Sequence, residues 1–399
     1  AMRIVIRMAA VAGAVRLLDI TRAHIDGCLY HGQAGLDFAR RLADGGAQVT
    51  VPTTLNVASL DLLHPELYRG DPETARAARE LMTVYEVMGC RPTWTCAPYQ
   101  LPERPVFGEQ IAWAESNAIV FANSVIGART DRYGDFLDIC AALTGRAPAA
   151  GLHLGQNRRG EILFRLVGLS DRLLGTDALY PVLGHLVGAR AGQRVPVIEG
   201  LPEGVGEDRL KALGAAAASS GSVALFHAVG VTPEAPTLAD ALHGSGPLEA
   251  VEVGPGMIRR ARDELSTVSG GRLAAVSVGT PHFSLAELGG LVKMMHGRQV
   301  DPEVDFYVST GRDVLSEAGE CGWLEALEQA GVKLVTDTCT YITPILRPGK
   351  GVVMTDSGKW AYYAPGNLGV DVVFGGLDEC VASALAGRVE RDERLWLGG

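Results

Sequence analysis

The chain has 399 residues, 47% of them apolar, with a formal charge of -10. That length exceeds one compact core and predicts two or three domains, while the acidic balance argues against a nucleic-acid or anionic-membrane partner. Fifty glycines point to many tight turns and close backbone approaches, as in an α/β enzyme with loops gathered at strand ends. The opening "AMRIVIRMAAVAGAVRLLDI" is broken by Arg7, Arg16 and Asp19, unlike a signal peptide. No run approaches the roughly 20 apolar residues of a membrane span. Ala1 ahead of Met2 reads as a tag scar with Met2 as the natural start, and the protein is expected in the cytoplasm. Seven cysteines, odd in number and widely spread, make no disulfide framework. In a reducing compartment, thiols in loops become candidates for metal ligation or catalysis.

Along the chain, strand-like and helix-like runs alternate, the α/β signature. "AVRLLDI" predicts a strand, "HIDGCLYHGQ" a loop and "AGLDFARRLADGG" a helix closed by glycines. "AQVTVP" predicts the next strand and "TTLNVAS" the loop after it. "DPETARAARELMTVYEVMG" predicts a helix with Asp71 as N-cap, Pro72 at the first helical position and Gly89 at its end. "DRYGDFLDICAALTG" predicts another, with Cys140 in its apolar stripe. Beyond residue 150 turn clusters become denser, and "ALGAAAASSG" then "SVALFHAVG" read as helix, turn and buried strand. A strand–loop–helix rhythm follows in "LAAVSVGTPHFSLAELGGLVKMM", "VDFYVSTGRDVLSEAG", "VKLVTDTCTYITP", "GVVMTDSGKWAYYAPG" and "VDVVFGGLDECVASALAG". Domains are expected at 1–150, 151–250 and 251–399. In open α/β sheets ligands collect beyond the carboxyl ends of strands, where these loops would lie.

Three cysteines occupy such positions: Cys96 in "PTWTCAPY", Cys339 in "VKLVTDTC" and Cys380 in "LDECV", just inside a helix with Asp378 as its expected N-cap. A thiol in a first helical turn feels the positive end of the dipole, which favours the thiolate. Spacing alone leaves two readings open: three unrelated thiols, or metal ligands. Cys28 shares a loop with His24, Asp26 and His31; His24 is a candidate catalytic group or a structural histidine, and Asp26 could serve an Asx turn. Thr54 and Asn56 in "PTTLN", with Ser116 and Asn117 in "ESNAIVFANSVIGART", offer dense hydrogen-bonding groups that hold either the chain or a ligand. Ser357 and Lys359 follow a strand in "TDSGKWAYY", where a lysine suits a carboxylate or phosphate anchor. P-loop, HExxH and GxSxG patterns are absent, and "VEVGPGMIRRA" lacks a full dinucleotide fingerprint.

Taken together and in order, "HIDGCLYHG", "VPTTLN", "PTWTCAPY", "ESNAIVFANSVIGART", "DTCTY", "DSGKWAYYAPG" and "LDECV" resemble the aconitase X family across essentially the whole chain. The resemblance implies an aconitase-like, multi-domain α/β/α architecture lacking the small swivel domain, and an iron–sulfur cluster held by Cys96, Cys339 and Cys380. It also implies that Gly27, Cys28, Leu29 and Asn56 line the substrate pocket, with Ser357 and Lys359 near it. The implied activity is a hydro-lyase removing water from a small hydroxy acid. "DGCLYHG" and "MGCRPTWTCAPYQ" are more similar to the branch that converts cis-3-hydroxy-L-proline to pyrroline-2-carboxylate than to the 5-phosphomevalonate branch. A non-catalytic metal-binding or regulatory protein on the same scaffold is the reading from another class. Hydroxide is a poor leaving group that an open iron can carry off as Lewis acid; a base must take the proton beside the carboxylate, and Lys359 with amides near Gly27 would hold the charge that develops. The resemblance puts the base, a serine, on a small swivel domain, for which no glycine- and serine-rich segment is found here. A small-subunit partner, giving a heterodimer, is therefore expected.

Overall fold

The computed structural model describes residues 1–347, 349 and 351–396; residues 348, 350 and 397–399, the last ending the expected 251–399 segment, lie outside the described residues. Three of the sheets are entirely parallel and share one plan, in which the strand that comes first in the chain lies inside and later strands add on both sides. The first sheet has the order Thr53–Leu55, Ala23–Ile25, Ala112–Trp113. The second runs His227–Ala228, Pro196–Glu199, Ile162–Leu166, Glu249–Val253. The third runs Val332–Val335, Asp305–Thr310, Leu273–Phe283, Val352–Thr355, Asp371–Phe374. Parallel pairing requires crossovers, which the helices supply while covering the faces, and so the strands read as near-continuous apolar runs. A short antiparallel pair, Leu17–Asp19 with Arg146–Pro148, ties the start of the chain to residues 146–148. The expected α/β architecture is the one observed.

Local chemistry explains where elements start and stop. Asp71 accepts from the Thr74 N–H at 2.8 Å and caps the helix Pro72–Val87, which ends in the left-handed Gly89 (φ +88°). The alanine-rich helix Glu207–Ser220 packs against Leu179–Ala191 so closely that a Cβ on Gly184 would overlap the Leu213 carbonyl. Three expectations shift. His24 and Ile25, the first two residues of "HIDGCLYHGQ", expected as a loop, belong to the central strand Ala23–Ile25 of the first sheet. Residues 2–11 form a helix, with Val5 packed on Leu137 and Cys140, so the apolar run at the N-terminus is core-facing structure. The strand expected over "AQVTVP" lies later, at Thr53–Leu55. Val49 N–H bonds Met88 and Thr50 N–H bonds Ala142, carbonyls outside any strand, whereas Thr53–Leu55 pairs residue for residue with Ala23–Ile25.

The first and third sheets interlock through two buried carboxylates. Asp61 accepts from the N–H (2.8 Å) and hydroxyl (2.9 Å) of Thr336. Asp337, in the left-handed region at φ +62°, is clamped by Arg312 at 2.6 and 2.8 Å and accepts from Leu62 N–H, while its carbonyl accepts from Ala58 N–H. A non-glycine residue in that conformation persists only where its surroundings over-determine it. These contacts fix the turn after Val332–Val335, and Cys339 lies two residues beyond Asp337. Among the described residues no helix is long and apolar enough to cross a membrane.

Candidate metal centre and active site

The third sheet and a loop tied to the first bring three side chains able to ligate a metal to one buried point. Single ligand atoms of Cys96, His282 and Cys339 all lie within 4.8 Å of one another. Cys96 sits in a loop laced to the first sheet, with Thr93 Oγ1 and Thr95 N–H donating to the Leu55 carbonyl at 2.8 and 3.2 Å. His282 ends the long strand Leu273–Phe283, whose pairing with Asp305–Thr310 slips between Val278 and Phe283. Such irregularities re-aim side chains. Gly279 permits this one: its φ is +85°, and a Cβ there would overlap the Ser309 backbone. The His282 N–H donates to Cys96 Sγ at 3.3 Å. Its ring nitrogens face Thr95 Oγ1 (3.1 Å) and the Thr338 carbonyl (3.3 Å), so one can take a metal while the other keeps an orienting partner.

The surroundings suit one thiolate, at Cys96, and a neutral imidazole. Burial holds the His282 pKa at about 4, leaving the ring uncharged and free to ligate. Burial pushes Cys96 up, but hydrogen bonding from the Cys339 thiol, the Lys359 ammonium and the His282 N–H outweigh it, and its pKa falls. The Cys339 thiol, donating to Cys96 and buried, is correspondingly raised. Lys359 is sealed with Glu115 in an ion pair of 2.5 Å, each side chain 5% exposed. Glu115 also caps the helix Ser116–Phe121 through Ala118 N–H (2.7 Å) and accepts from Asn117 Nδ2, which in turn donates to the Cys96 carbonyl at 2.8 Å.

The donor set fits a metal ion. Ligands on one tetrahedral ion at roughly 2.0–2.3 Å lie roughly 3.3–3.8 Å apart, compatible with ligand atoms that all lie within 4.8 Å of one another. Cys380 does not join this group. It occupies the first turn of the helix Leu377–Ala386, in the apolar core with Val276, Met354 and Val381. The cap is Gly376, whose N–H donates to Glu379, and Asp378 is inside the helix rather than capping it. Burial raises the Cys380 thiol well above its ordinary value. Contrary to the expectation of a thiolate favoured by the helix dipole, desolvation outweighs the helix terminus at Cys380.

The other candidates form two neighbourhoods. His24 lies on the strand Ala23–Ile25 with Nδ1 2.8 Å from Thr54 Oγ1, and burial lowers its pKa to about 3. Asp26 and Gly27 donate their N–H groups to Asp138 (2.9 and 3.0 Å), and Asn56 Nδ2 donates to Asp26. A Cβ on Gly27 would press within 2.9 Å of the Tyr85 hydroxyl. Cys28 is buried and donates to the carbonyls of Ile25 and Asn56, both at 3.4 Å; Leu29 beside it is also buried. His24 Nε2, Asn56 Oδ1 and Tyr85 OH have no partner, an unusual density of unsatisfied buried polar atoms. Ser116 reaches only Glu115, at 3.4 Å. Ser357 caps the helix Gly358–Leu368 by accepting from Trp360 N–H and donates to the Thr280 carbonyl, which fixes where Lys359 points. Asn123 and Ser124 hold the chain, bonding Thr130, Ala224 and Phe226. Cys90 closes its helix by N–H donation to Tyr85.

Sequence reasoning did not single out His282, Asp138 or Lys211. Lys211 is buried between Asp208 (2.9 Å) and Glu287 and also donates to the His282 carbonyl at 3.3 Å, anchoring the strand end that carries the ligand. The available signal for His282 was its place at the end of an apolar run in "VSVGTPHF".

These features define an α/β protein with a thiolate–imidazole site where parallel sheets converge. Residues 1–156, 160–263 and 273–386 match the first, second and third domains of aconitase X respectively. The chain belongs to the aconitase X family. It is 46% identical over 400 residues to the cis-3-hydroxy-L-proline dehydratase of Pseudomonas aeruginosa, covering 100% of this chain and 68% of that protein. The chain thus spans about two thirds of that relative's length. It is 37% identical to the phosphomevalonate dehydratase large subunit of Methanothermobacter thermautotrophicus, covering 94% of this chain and 91% of that one. The crystal structure of Thermococcus kodakaraensis aconitase X in its holo-form superposes with a TM-score of 0.85 at 32% identity, covering 96% and 94% of the two chains. Relatives of both kinds are named dehydratases, so the family is one of hydro-lyases.

Two outcomes follow from the site's electrostatics. Lys359→Met strands a buried carboxylate and is expected to cost about 3–5 kcal/mol of unfolding free energy, largely restored by adding Glu115→Leu; equal loss in both variants by denaturant titration would contradict the pairing. Burial, reinforced by Glu115, raises Asp26 to about 7. The folded protein then keeps a proton that the unfolded chain releases near pH 4, so stability falls as pH rises from about 4 to 7. Asp26→Asn should flatten that slope in melts across the window; an unchanged slope would show that Asp26 ionises normally.

Proposed function

We propose that the chain is the metal-carrying part of a dehydratase acting on cis-3-hydroxy-L-proline. The observation that carries this reading is the 46% identity across the whole chain to a dehydratase so named, against 37% to the phosphomevalonate large subunit. The buried thiolate–imidazole group supports it by supplying ligands at the carboxyl ends of the strands. Cys96, His282 and Cys339 would hold iron, which when bound supplies Lewis-acid assistance to departure of a hydroxyl group. Two thiolates and a neutral imidazole within this spacing suit a single ion; the sequence resemblance implied a cluster on three thiolates, one of which, Cys380, lies in apolar core.

The chain's own residues would do the rest. Lys359 keeps a positive charge beside the two thiols that would steady developing negative charge; the N–H groups of Asp26 and Gly27 are committed to Asp138, so they do not supply the donors expected there. Ser357 contributes by capping the helix that carries Lys359, a positioning role. The proton acceptor would come from a small swivel domain, fused or separate. The greater length of the hydroxyproline relative and the "large subunit" name of the phosphomevalonate relatives support such a partner. All seven cysteines are free, as in a reducing cytoplasm.

The test is anaerobic co-expression with a candidate small subunit, followed by iron and acid-labile sulfide analysis and assays with both substrates. Cys96→Ser, Cys339→Ser and His282→Ala should each lose most of the iron, while Cys380→Ser keeps it. Dehydration of cis-3-hydroxy-L-proline but not 5-phosphomevalonate is expected. Turnover of the phosphorylated substrate alone, or iron loss only in Cys380→Ser, would overturn the reading.

A further inference from the structure

The third sheet reverses its strand order between Leu273–Phe283 and Val352–Thr355, the place where open α/β sheets take ligands. The loops leaving these two strands open on a cleft of about 880 Å³. At its floor lies an inner pocket of about 40 Å³ that shares Phe283, Glu287 and Asp356 with the cleft and adds Thr280, Lys211 and Ser357. Two groups there have no protein partner. The half-buried Asp356 carboxylate meets no group of another residue in a hydrogen bond or ion pair among the described residues, and the Thr280 hydroxyl is unpartnered in a side chain only 5% exposed.

The cations nearby are already committed. Lys211 spends its donors on Asp208, Glu287 and the His282 carbonyl, Arg209 pairs with Asp177, and Arg104 pairs with Glu207. Six carboxylates line the cleft and pocket against these three cations, so the lining carries a negative excess. Burial and the neighbouring Glu287 raise Asp356 to about 7, the behaviour of a carboxylate that lacks its counter-ion. Along the chain, Asp356 directly precedes Ser357 and is three residues from Lys359, and Thr280 is two residues from His282.

We propose that Asp356 and Thr280 form the subsite for the ammonium group of an amino-acid substrate, and that the carboxylate-rich lining around them excludes a phosphorylated one. A secondary ring ammonium carries two N–H donors, and the pocket offers two unpartnered acceptors, one of them anionic. A phosphate dianion brought to the same place would face an unpaired carboxylate and no free cation, so specificity comes partly from repulsion. The inner pocket has room for the ammonium end only, leaving the ring and carboxylate to the cleft. This inference rests on the reading above and deepens it by naming the residue that separates the two substrate classes.

The test is calorimetric binding to the anaerobically prepared, iron-loaded full chain, with L-proline as non-reacting ligand and tetrahydrofuran-2-carboxylate as its counterpart lacking the ammonium. The wild type should bind L-proline at least about tenfold more tightly than the oxygen analogue, and Asp356→Asn should remove that preference at unchanged iron content. Thr280→Val, the second variant should Asp356→Asn not fold, should weaken L-proline alone by about three- to tenfold. Equal wild-type affinity for the two ligands, no binding of L-proline, or an unaltered preference in the variants would overturn the subsite. Turnover separates the two claims. A wild-type complex that prefers L-proline yet dehydrates no hydroxyproline refutes the activity and leaves the subsite standing; turnover with unchanged KM in Asp356→Asn refutes the subsite alone.

Discussion

The site depends on keeping one lysine charged out of water. Lys359 would lose its proton in an apolar interior, and what holds it is Glu115, itself tied by a helix N-terminus and by Asn117. That pair sets the potential felt by Cys96 and Cys339, and Asn117 also grips the Cys96 carbonyl, so charge and loop position are coupled. Glu115 follows a strand of the first sheet and Lys359 follows one of the third. The ion pair therefore works only while the two sheets are docked.

Docking is enforced by contacts that have no chemistry of their own. Asp61 accepts from Thr336 and Asp337 accepts from Leu62 across the same two sheets, and Arg312 clamps Asp337 in its left-handed conformation. Lys211 plays the matching part on the side of the second sheet, where the Asp208 carboxylate, the capping Glu287 and the His282 carbonyl all accept from one ammonium. His282 is thus carried by a strand end, while Cys96 and Cys339 sit in loops tied back to the sheets by hydrogen bonds, a bracing that suits a pre-organised site.

Much of this was legible in the residues. The α/β alternation, the helix from Pro72 with its Asp71 cap, and the core role of Cys140 follow from local rules that the fold obeys. Cys339 could be picked out because it follows an apolar run at a strand end, and Cys96 because it lies in the loop "PTWTCAPY" that carries the family resemblance. His282 could not, because a single histidine at the close of "VSVGTPHF" reads as core until the strand order shows that it faces two cysteines from elsewhere. Cys380 failed for the opposite reason: a helix-terminal thiol looks activated in sequence, but the turn bearing it is packed into the interior of the third sheet. The strand at Thr53–Leu55 was missed because the alternation in "AQVTVP" is stronger, although its N–H groups bond outside any sheet. Tertiary pairing, not local pattern, decided all three.

The central claim is that two thiolates from different sheets share one metal with the imidazole between them. X-ray absorption at the iron edge of anaerobically purified protein tests it most directly. The account predicts a mixed sulfur and nitrogen shell, without iron–iron scattering, that loses its imidazole signature in His282→Ala. An all-sulfur shell with iron–iron scattering, unchanged in His282→Ala and abolished in Cys380→Ser, would contradict it.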